Sequence, residues 1–485
     1  METTMSDLIK KTRRPILGGT RAFGAVWLGQ VISFIGSGLT SFALGVWVLQ
    51  KTGEITQYAL ISMFFVVPGV LLGPLAGTLI DRWDRRKAML ISDLGAGIST
   101  LSIAVVYLLG GLQVWYIYVA VFISGAFGSL RMPSLQASMT QMIPRKNLGR
   151  ASGMMEIVGI GEYLIAPAIA GGLMGTIGLA GVIMIDFTSF LFAVSVLFFV
   201  RIPRAEATTE GKAGSGSLLK ETSFGWKYIM ARPGLAALML LFALSNFTTE
   251  MTVVLFTPLI LSFSTTAELG LAMSLSASGF LAGGLLMSIW GGPRRRLRVV
   301  IIFMILLGLF SALIGLRASM GFIIVSGFLS TLCVPILSSS NQVIWQKKVA
   351  PDVQGRVFAI RRTIVLATPL LTYVVAGPLT DRIFEPMMAV NGPLAGSIGQ
   401  ITGTGAGRGI GLLFVCMGLL LVLITAISCL SPHLRRVEDE LPDAVTGQPI
   451  QAEADRRSLM TFPATDQKRM DINPGDRMVL ENPAP

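Results

Sequence analysis

The sequence predicts an all-α membrane protein in which twelve transmembrane helices form two six-helix bundles. Three observations carry this. The 485 residues are 52% hydrophobic and 14% charged, with mean hydropathy +0.69, whereas a soluble domain carries about 25% charged residues. Twelve apolar runs reach the ~20 residues that a helix needs to cross hydrocarbon. A polar segment at 201–235 divides those runs into six and six.

After a basic segment at 1–21, the first six runs fall at 22–49, 56–80, 88–110, 115–142, 151–175 and 179–200. The first is longer than the ~7–15-residue apolar stretch of a signal peptide and reads as a retained helix. The 201–235 segment contains "ATTEGKAGSGS", whose Gly, Ser and Thr content reads as a flexible linker. The second six runs, from 236 to 430, fall at 236–263, 269–292, 299–316, 320–345, 358–380 and 408–430. The fourth, tenth and eleventh of the twelve carry Arg131, Asn341 and Arg361 near an end. From 431 to 485 the chain turns polar and proline-punctuated ("LPDAVTGQPIQAEADRR") and reads as a disordered tail.

The basic residues sort by loop. One set of loops holds Lys10, Lys11, Arg13, Arg14 and Arg21, then Arg82, Arg85, Arg86 and Lys87, then Arg145, Lys146 and Arg150. The same set continues with Arg294, Arg295, Arg296 and Arg298, and with Lys347, Lys348, Arg356, Arg361 and Arg362. The alternate loops hold Lys51, Arg317, Arg382 and Arg408. The positive-inside rule then places both termini in the cytoplasm of a multi-pass protein of the inner or plasma membrane. The formal charge of +12 is thus a topology signal and not a nucleic-acid footprint.

Cys333, Cys416 and Cys429 all lie in apolar runs without metal-ligand spacing, and His433 is the single histidine. No nucleophile–base pair and no cofactor motif stands out, so an enzyme is not expected and no cofactor is expected. Without a Gly-rich phosphate loop of the G-x-x-x-x-G-K-[ST] type, energy for any transport is expected from an ion gradient, with protons the first candidate.

One stretch concentrates charge between two greasy runs: "GPLAGTLIDRWDRRK", Gly73 to Lys87. Gly73 and Gly77 stand one helical turn apart, a spacing that lets helices approach closely in lipid, and Asp81 continues the stripe. In the second half Gly283 precedes Arg295 and Arg296 by the same twelve-residue spacing as Gly73 precedes Arg85 and Arg86, with Gly291 in the place of Asp81. The halves therefore read as a degenerate parallel repeat, a known transporter plan.

This stretch resembles the loop 2–3 signature of the major facilitator superfamily, through Gly73, Gly77, Asp81, Arg82, Arg85 and Arg86, with Asp84 where the family usually has glycine. "WLGQVISFIGSGLTSFALGVWVLQKTG", "RMPSLQASM", "IDFTSFLFA", "RPGLAALMLLFALSNF" and "IWQKKVAPDVQGRVFAIRR" resemble the macrolide-efflux and enterobactin-exporter branch. The likeness spans about residues 20–440. In "EYLIAPAIAGGL" the drug:proton antiporter pattern is met only in part, Ala166 replacing the glycine before Pro167. The resemblance implies a contact between the second and eleventh helices on the cytoplasmic side. Asp81 would meet the start of the eleventh, near Gly355, Arg356, Arg361 and Arg362, as a latch, since a helix N-terminus favours an anion.

Buried charge in hydrocarbon is costly and marks function or a partner. Glu250, amid Ser245, Asn246, Thr248 and Thr249, is the first candidate for a proton or cation site. The resemblance implies that its helix lines the cavity. Glu162 shares an i, i+4, i+8 stripe with Ala166 and Ala170. Asp186 and Asp93 lie inside the sixth and third helices. Arg131 is a candidate to pair with Asp93 or Glu156, or to touch an anionic cargo. Trp27, Phe34, Phe65 and Phe247 are candidate cavity aromatics.

The expectation is a monomeric secondary transporter that exports amphipathic, drug- or macrolide-like small molecules by proton antiport. Its partners would be that substrate, the proton gradient and the lipid bilayer, not nucleic acid. Alternatives are a dedicated exporter of a siderophore or other secondary metabolite, a lipid carrier or importer, and a non-transporting membrane sensor or assembly partner.

Overall fold

The computed structural model describes residues 19–82, 84–144, 147–200, 226–292, 295–349 and 353–435. The first 18 residues, 201–225 of the expected linker and the tail from 436 lie outside the described residues. Among the described residues, twelve helices are long and apolar enough to cross a membrane. They are α1 (Gly19–Thr52), α2 (Ile55–Arg82), α3 (Arg85–Leu108), α4 in two pieces (Val114–Gly128 and Arg131–Met142), α5 (Leu148–Ile160, then Ala166–Thr176) and α6 (Gly178–Phe199). The second six are α7 (Pro233–Leu261), α8 (Thr266–Trp290), α9 (Arg296–Leu316), α10 (Met320–Lys348), α11 (Gln354–Leu379, prolonged to Glu385–Met388) and α12 (Arg408–Leu430).

Three of these depart from the uninterrupted runs expected. α4 breaks at Ser129–Leu130, α5 contains a π-helical turn at Gly161–Ile165, and α11 passes through a π-helical turn at Thr380–Phe384. Each break has a proline shortly beyond it: Pro133, Pro167 and Pro386. Proline lacks the N–H of the i→i−4 bond, and its ring collides with the carbonyl four residues back. Those carbonyls belong to Ser129, Tyr163 and Arg382, each inside its break. Pro258, Pro335 and Pro369 lie within regular helix, so a proline permits the break without dictating it. A π-turn inserts one residue into the register. Ala166 and Ala170 stay fully buried while Glu162, in the turn, is only half-buried, so the expected three-residue stripe is divided.

The neighbour pattern repeats between halves. In the first, α1 packs on α5 and α6, α2 on α4, and α3 on α4 and α6. In the second, α7 packs on α11 and α12, α8 on α10, and α9 on α10 and α12. Between halves α5 packs on α8 and α2 on α11, contacts that exchange with each other under the same correspondence.

The halves join at one end. A single apolar core there mixes residues of both, among them Phe42, Ala166 and Ala170 with Val254, Ala272 and Ala376. At the end that bears the chain termini, each half has its own separate core, one around Phe23, Met89 and Val200, the other around Leu235, Trp345 and Val357. At the far end Ser274 on α8 donates to the Leu164 carbonyl on α5, and Gln50 on α1 reaches Thr266.

Glycine makes the far-end seams possible. A Cβ on Gly270 would collide with the Pro167 carbonyl and with Gly171, and one on Gly377 would collide with the Thr56 backbone. In lipid, close backbone approach replaces the hydrophobic effect as the source of helix attraction. Gly270→Val is therefore expected to cost about 1–3 kcal/mol of local stability by overpacking. Backbone hydrogen exchange over 166–171 and 266–272 should rise about tenfold or more, as 1.4 kcal/mol is a factor of ten. Unchanged exchange there would show that the seam accepts a side chain.

Candidate functional site

The first six helices carry a buried polar network. Arg131 begins the second piece of α4, where the Pro133 break leaves it free to turn inward. Its Nε lies 3.0 Å from Asp93 Oδ1 on α3 and donates to Gln30 Oε1 on α1 at 2.8 Å. Gln30 Nε2 donates back to Asp93 Oδ2 at 2.8 Å, closing a three-membered ring of contacts. The guanidinium lies 3.9 Å over the Phe34 ring, one turn from Gln30. Gln30, Asp93 and Arg131 are 0%, 1% and 6% exposed. A buried pair persists only when its charges are matched and hydrogen-bonded, and this one is. Within the ring, Arg131 Nη2 and Asp93 Oδ1 are buried without a hydrogen-bond partner among the described residues, Oδ1 being held by the ion pair. The side chain of Glu156, the other candidate partner, lies outside them.

Asp186 is also held. Thr40 Oγ1 donates to its Oδ2 at 2.8 Å, Ser37 is a further hydrogen-bonding partner, and Gly36 provides the room for this α1–α6 approach. Glu162 and Glu250 differ from it. Both are half-buried, and among the described residues neither has a hydrogen-bond or ion-pair partner. Glu162 feels Arg131 only through space. The two approach a shared region from opposite halves: Tyr163 lies within electrostatic reach of both carboxylates, and Tyr373 on α11 within reach of Glu250, Tyr163 and Tyr58.

Asn246, one turn before Glu250, lines a cavity of about 210 Å³ in the second half, together with Phe242, Ser338, Asn341, Trp345 and Arg361. Arg361 donates to Gln342 Oε1 at 2.8 Å and stands 5.6 Å from the Trp345 ring centre.

Of the expected latch residues, Gly73, Gly77, Asp81 and Arg82 lie on the last turns of α2, and their side chains, like that of Arg356, lie outside the described residues. Arg362 is exposed. Arg85 and Arg86 are tied within their own half. Arg85 donates to the Ala137 carbonyl, and Arg86 donates from Nε to the Leu197 carbonyl at 2.6 Å and from Nη2 to that of Phe198 at 2.8 Å. The cation thus satisfies the C-terminal carbonyls of α6. Asp84 caps α3, accepting from the Arg86 N–H at 3.0 Å, which gives the departure from glycine there a structural reason.

The far-end contact was not anticipated. Asp381, in the π-turn of α11, accepts from the N–H groups of Ile55 at 3.2 Å and Thr56 at 2.9 Å, and from Thr56 Oγ1 at 2.6 Å. A carboxylate from the second half thus caps the N-terminus of α2 in the first. The signal was present in "GPLTDR", Gly377 to Arg382, which echoes "GPLAGTLIDR" at the other end of the partner helix. Gln30, Tyr163 and Tyr373 were missed too, neutral residues that pattern alone does not single out.

Residues 26–373 match the family model described as Major Facilitator Superfamily. The chain belongs to that superfamily. As a member of the major facilitator superfamily it is a multi-pass membrane transporter of small molecules. It is 27% identical over 376 residues to macrolide efflux protein A of Streptococcus pyogenes, covering 76% of this chain and 90% of that one. It is 24% identical over 366 residues to the multidrug efflux pump Tap of Mycobacterium tuberculosis, covering 73% and 86%. Among solved structures, a bacterial homologue of the human lysosomal transporter Spinster, inward-facing and unoccupied, superimposes with TM-score 0.63 at 14% identity over 87% of this chain and 98% of that one. A bacterial homologue of the iron transporter ferroportin, inward-facing, gives 0.60 at 13% identity over 84% and 98%. These two likenesses show the superfamily fold.

The Arg131–Gln30–Asp93 ring yields a stability prediction. Removing one partner strands a buried charge at about 3–5 kcal/mol, while neutralising both together is far milder. Asp93→Ala should lower the thermal midpoint of the purified transporter by several degrees, and Asp93→Asn combined with Arg131→Gln should recover most of the loss. Equal losses in the single and double variants would show that the charges are not coupled.

Proposed function

We propose that this transporter exports amphipathic small molecules in exchange for protons, by alternating access between the bundles 22–200 and 236–430. The observation that carries the reading is the placement of Glu162 and Glu250. One comes from each half, both lie within electrostatic reach of Tyr163, and neither is neutralised by a fixed contact among the described residues. Proton–cargo exchange needs a titratable group that faces water in turn from either side, and whose charge is met by the proton or by the cargo but not by both. A permanently paired acid such as Asp93 is unsuited to that task. Relatives named for macrolide and multidrug efflux support export and an amphipathic cargo.

With both termini in the cytoplasm, the closed far end faces outward and the parted cores face the cytoplasm. This is the loading state of an exporter. Cargo enters between the halves, and Glu250 and Glu162 give up protons as it binds. The bundles then rock, Asp381 leaves the α2 N-terminus, and Asp81 latches onto the first turns of α11 with Arg356 and Arg362. Arg361 is committed to Gln342 and Trp345 in the present state and joins that latch only by reorienting. Protons from outside then displace the cargo. One chain encloses the whole path, so a monomer suffices.

Reconstituted vesicles test the coupling. Glu250→Gln should reduce proton-driven efflux of a macrolide or lipophilic dye by about tenfold or more, a typical scale for losing a positioned proton carrier, while gradient-free exchange of labelled cargo persists. Unchanged proton-driven flux in both Glu250→Gln and Glu162→Gln would sink the proposal. The far-end cap is tested by labelling. Ala376 is fully buried in the closed seam; in a chain freed of its three native cysteines, thiol labelling of Ala376→Cys should accelerate about tenfold when Asp381→Ala is added, since a hydrogen bond to a charged group contributes about 1.5–3 kcal/mol. An unchanged rate would show that Asp381 does not hold the seam.

A further inference from the structure

The cavity between α7, α10 and α11 is separate in character from the acidic region around Glu162 and Glu250. It encloses about 210 Å³, and none of its lining residues is acidic. Its polar groups are mainly donors. Arg361 has one neutral acceptor, Gln342 Oε1, and no acidic partner among the described residues, which leaves most of its guanidinium N–H groups available. The Asn246 amide has no partner among the described residues. Asn341 accepts from Trp345 Nε1 at 3.0 Å, which turns its Oδ1 to the indole and leaves its Nδ2 as the unspent group. Phe242, Trp345 and Leu307 make the walls apolar.

A part-buried guanidinium at the start of the span Ile360–Met388 with a neutral partner is a costly arrangement to maintain. Its planar fork matches an oxyanion by two parallel hydrogen bonds, and this geometry separates arginine from lysine. Gln342 and Trp345 fix the plane from one side, which leaves the other N–H edge to an incoming group. The volume suits one end of a larger molecule, not a whole one. Glu250 lies one turn along α7 from Asn246, so a molecule anchored at Arg361 extends from there toward the acids.

We propose that this pocket is an oxyanion subsite: Arg361, with Asn246 and Asn341, holds a carboxylate at one end of an amphipathic cargo while its apolar body lies against Phe242 and Trp345. This rests on the transport reading above and extends its substrate class to amphipathic molecules that carry an acidic group for Arg361 besides the basic group that meets Glu162 and Glu250.

The test is equilibrium binding to the purified full chain in neutral detergent, with no proton gradient, so that it stands apart from any failure of proton-driven export. The probes are 11-(dansylamino)undecanoic acid and its methyl ester. The acid should bind about tenfold more tightly than the ester, and Arg361→Gln should erase that preference by weakening the acid alone. Arg361→Lys, which keeps the charge but not the fork, should retain part of it, and Asn246→Ala should weaken the acid only. If Arg361→Gln does not fold, the last two variants carry the test. The proposal is overturned by no acid preference in the unaltered chain, by a preference that survives Arg361→Gln, or by equal weakening of both probes, which would mark Arg361 as a packing residue for Trp345. Displacement of the acid by phosphatidylglycerol at matched concentration would assign the oxyanion to a lipid headgroup and overturn the cargo assignment.

Discussion

Hydrocarbon leaves a polar group only three recourses: a partner inside the protein, a water-filled cavity, or the membrane surface. Every informative feature of this chain follows from that constraint. It makes the twelve spans long and greasy, and it makes each charge within them a statement. In the first half the constraint is met by closure. Arg131, Asp93 and Gln30 satisfy one another, and Asp186 is taken up by Thr40 and Ser37. In the second half it is met by openness: Glu250, Asn246 and Arg361 retain unspent charge or hydrogen-bonding capacity beside a cavity. The same helix plan therefore hosts fixed and receptive polar groups, Glu162 of the first half standing with the receptive ones, and the residues that recognise cargo are sought among the unsatisfied groups.

The fold was legible because its determinants are local. Run length decides spanning, and it does not need to know what packs on what. The breaks were less so. Proline marks them, but Pro133, Pro167 and Pro386 break their helices while Pro258, Pro335 and Pro369 do not, and the difference lies in the tertiary surroundings. In the site, Glu162, Glu250, Asp93, Asp186 and Arg131 were visible as outliers in apolar runs. Their partners were not, because Gln30 and Thr40 are ordinary residues until α1 is laid against α3, α4 and α6. Asp381 lay just past the expected end of the eleventh helix, among loop residues, and only the prolongation of α11 through a π-turn brings its carboxylate to α2.

The two seams between halves are built differently although they correspond in the repeat. α8 begins with a complete cap of its own: Thr265 accepts from the Glu268 N–H at 3.3 Å and Glu268 Oε2 accepts from the Thr265 N–H at 3.2 Å. Parting α8 from α5 exposes glycine and apolar surface but leaves that helix end satisfied. α2 has no such autonomy, because the carboxylate on its first N–H groups belongs to α11. Parting α2 from α11 orphans those groups until water replaces Asp381. This happens at the ends of the spans, where hydrogen bonds to a charged group exchange for water at a net cost of about 1.5–3 kcal/mol each and are not left unmet as they would be at the bilayer centre. A contact of that size is strong enough to hold a state and weak enough to be released in every cycle.

The geometry of that pair also explains why the loop 2–3 signature sits where it does. α2 and α11 run antiparallel, so the N-terminus of each lies beside the C-terminus of the other. At the far end the acid of α11, Asp381, meets the N-terminus of α2. In the proposed latch the acid of α2, Asp81, would stand in the same relation to the N-terminus of α11 at the terminal end. In the proposed cycle two bundles that rock about their middle would close one end by opening the other, so the two carboxylate caps would exclude each other in time. The balance between the two states is then set by the difference between two similar contacts, which stays near zero even when each is individually strong. A gradient of protons or cargo need supply only a few kcal/mol to tip such a balance. The paired Gly-Pro-Leu and Asp-Arg elements at 73–82 and 377–382 are, in this account, one device used at both ends of one helix pair.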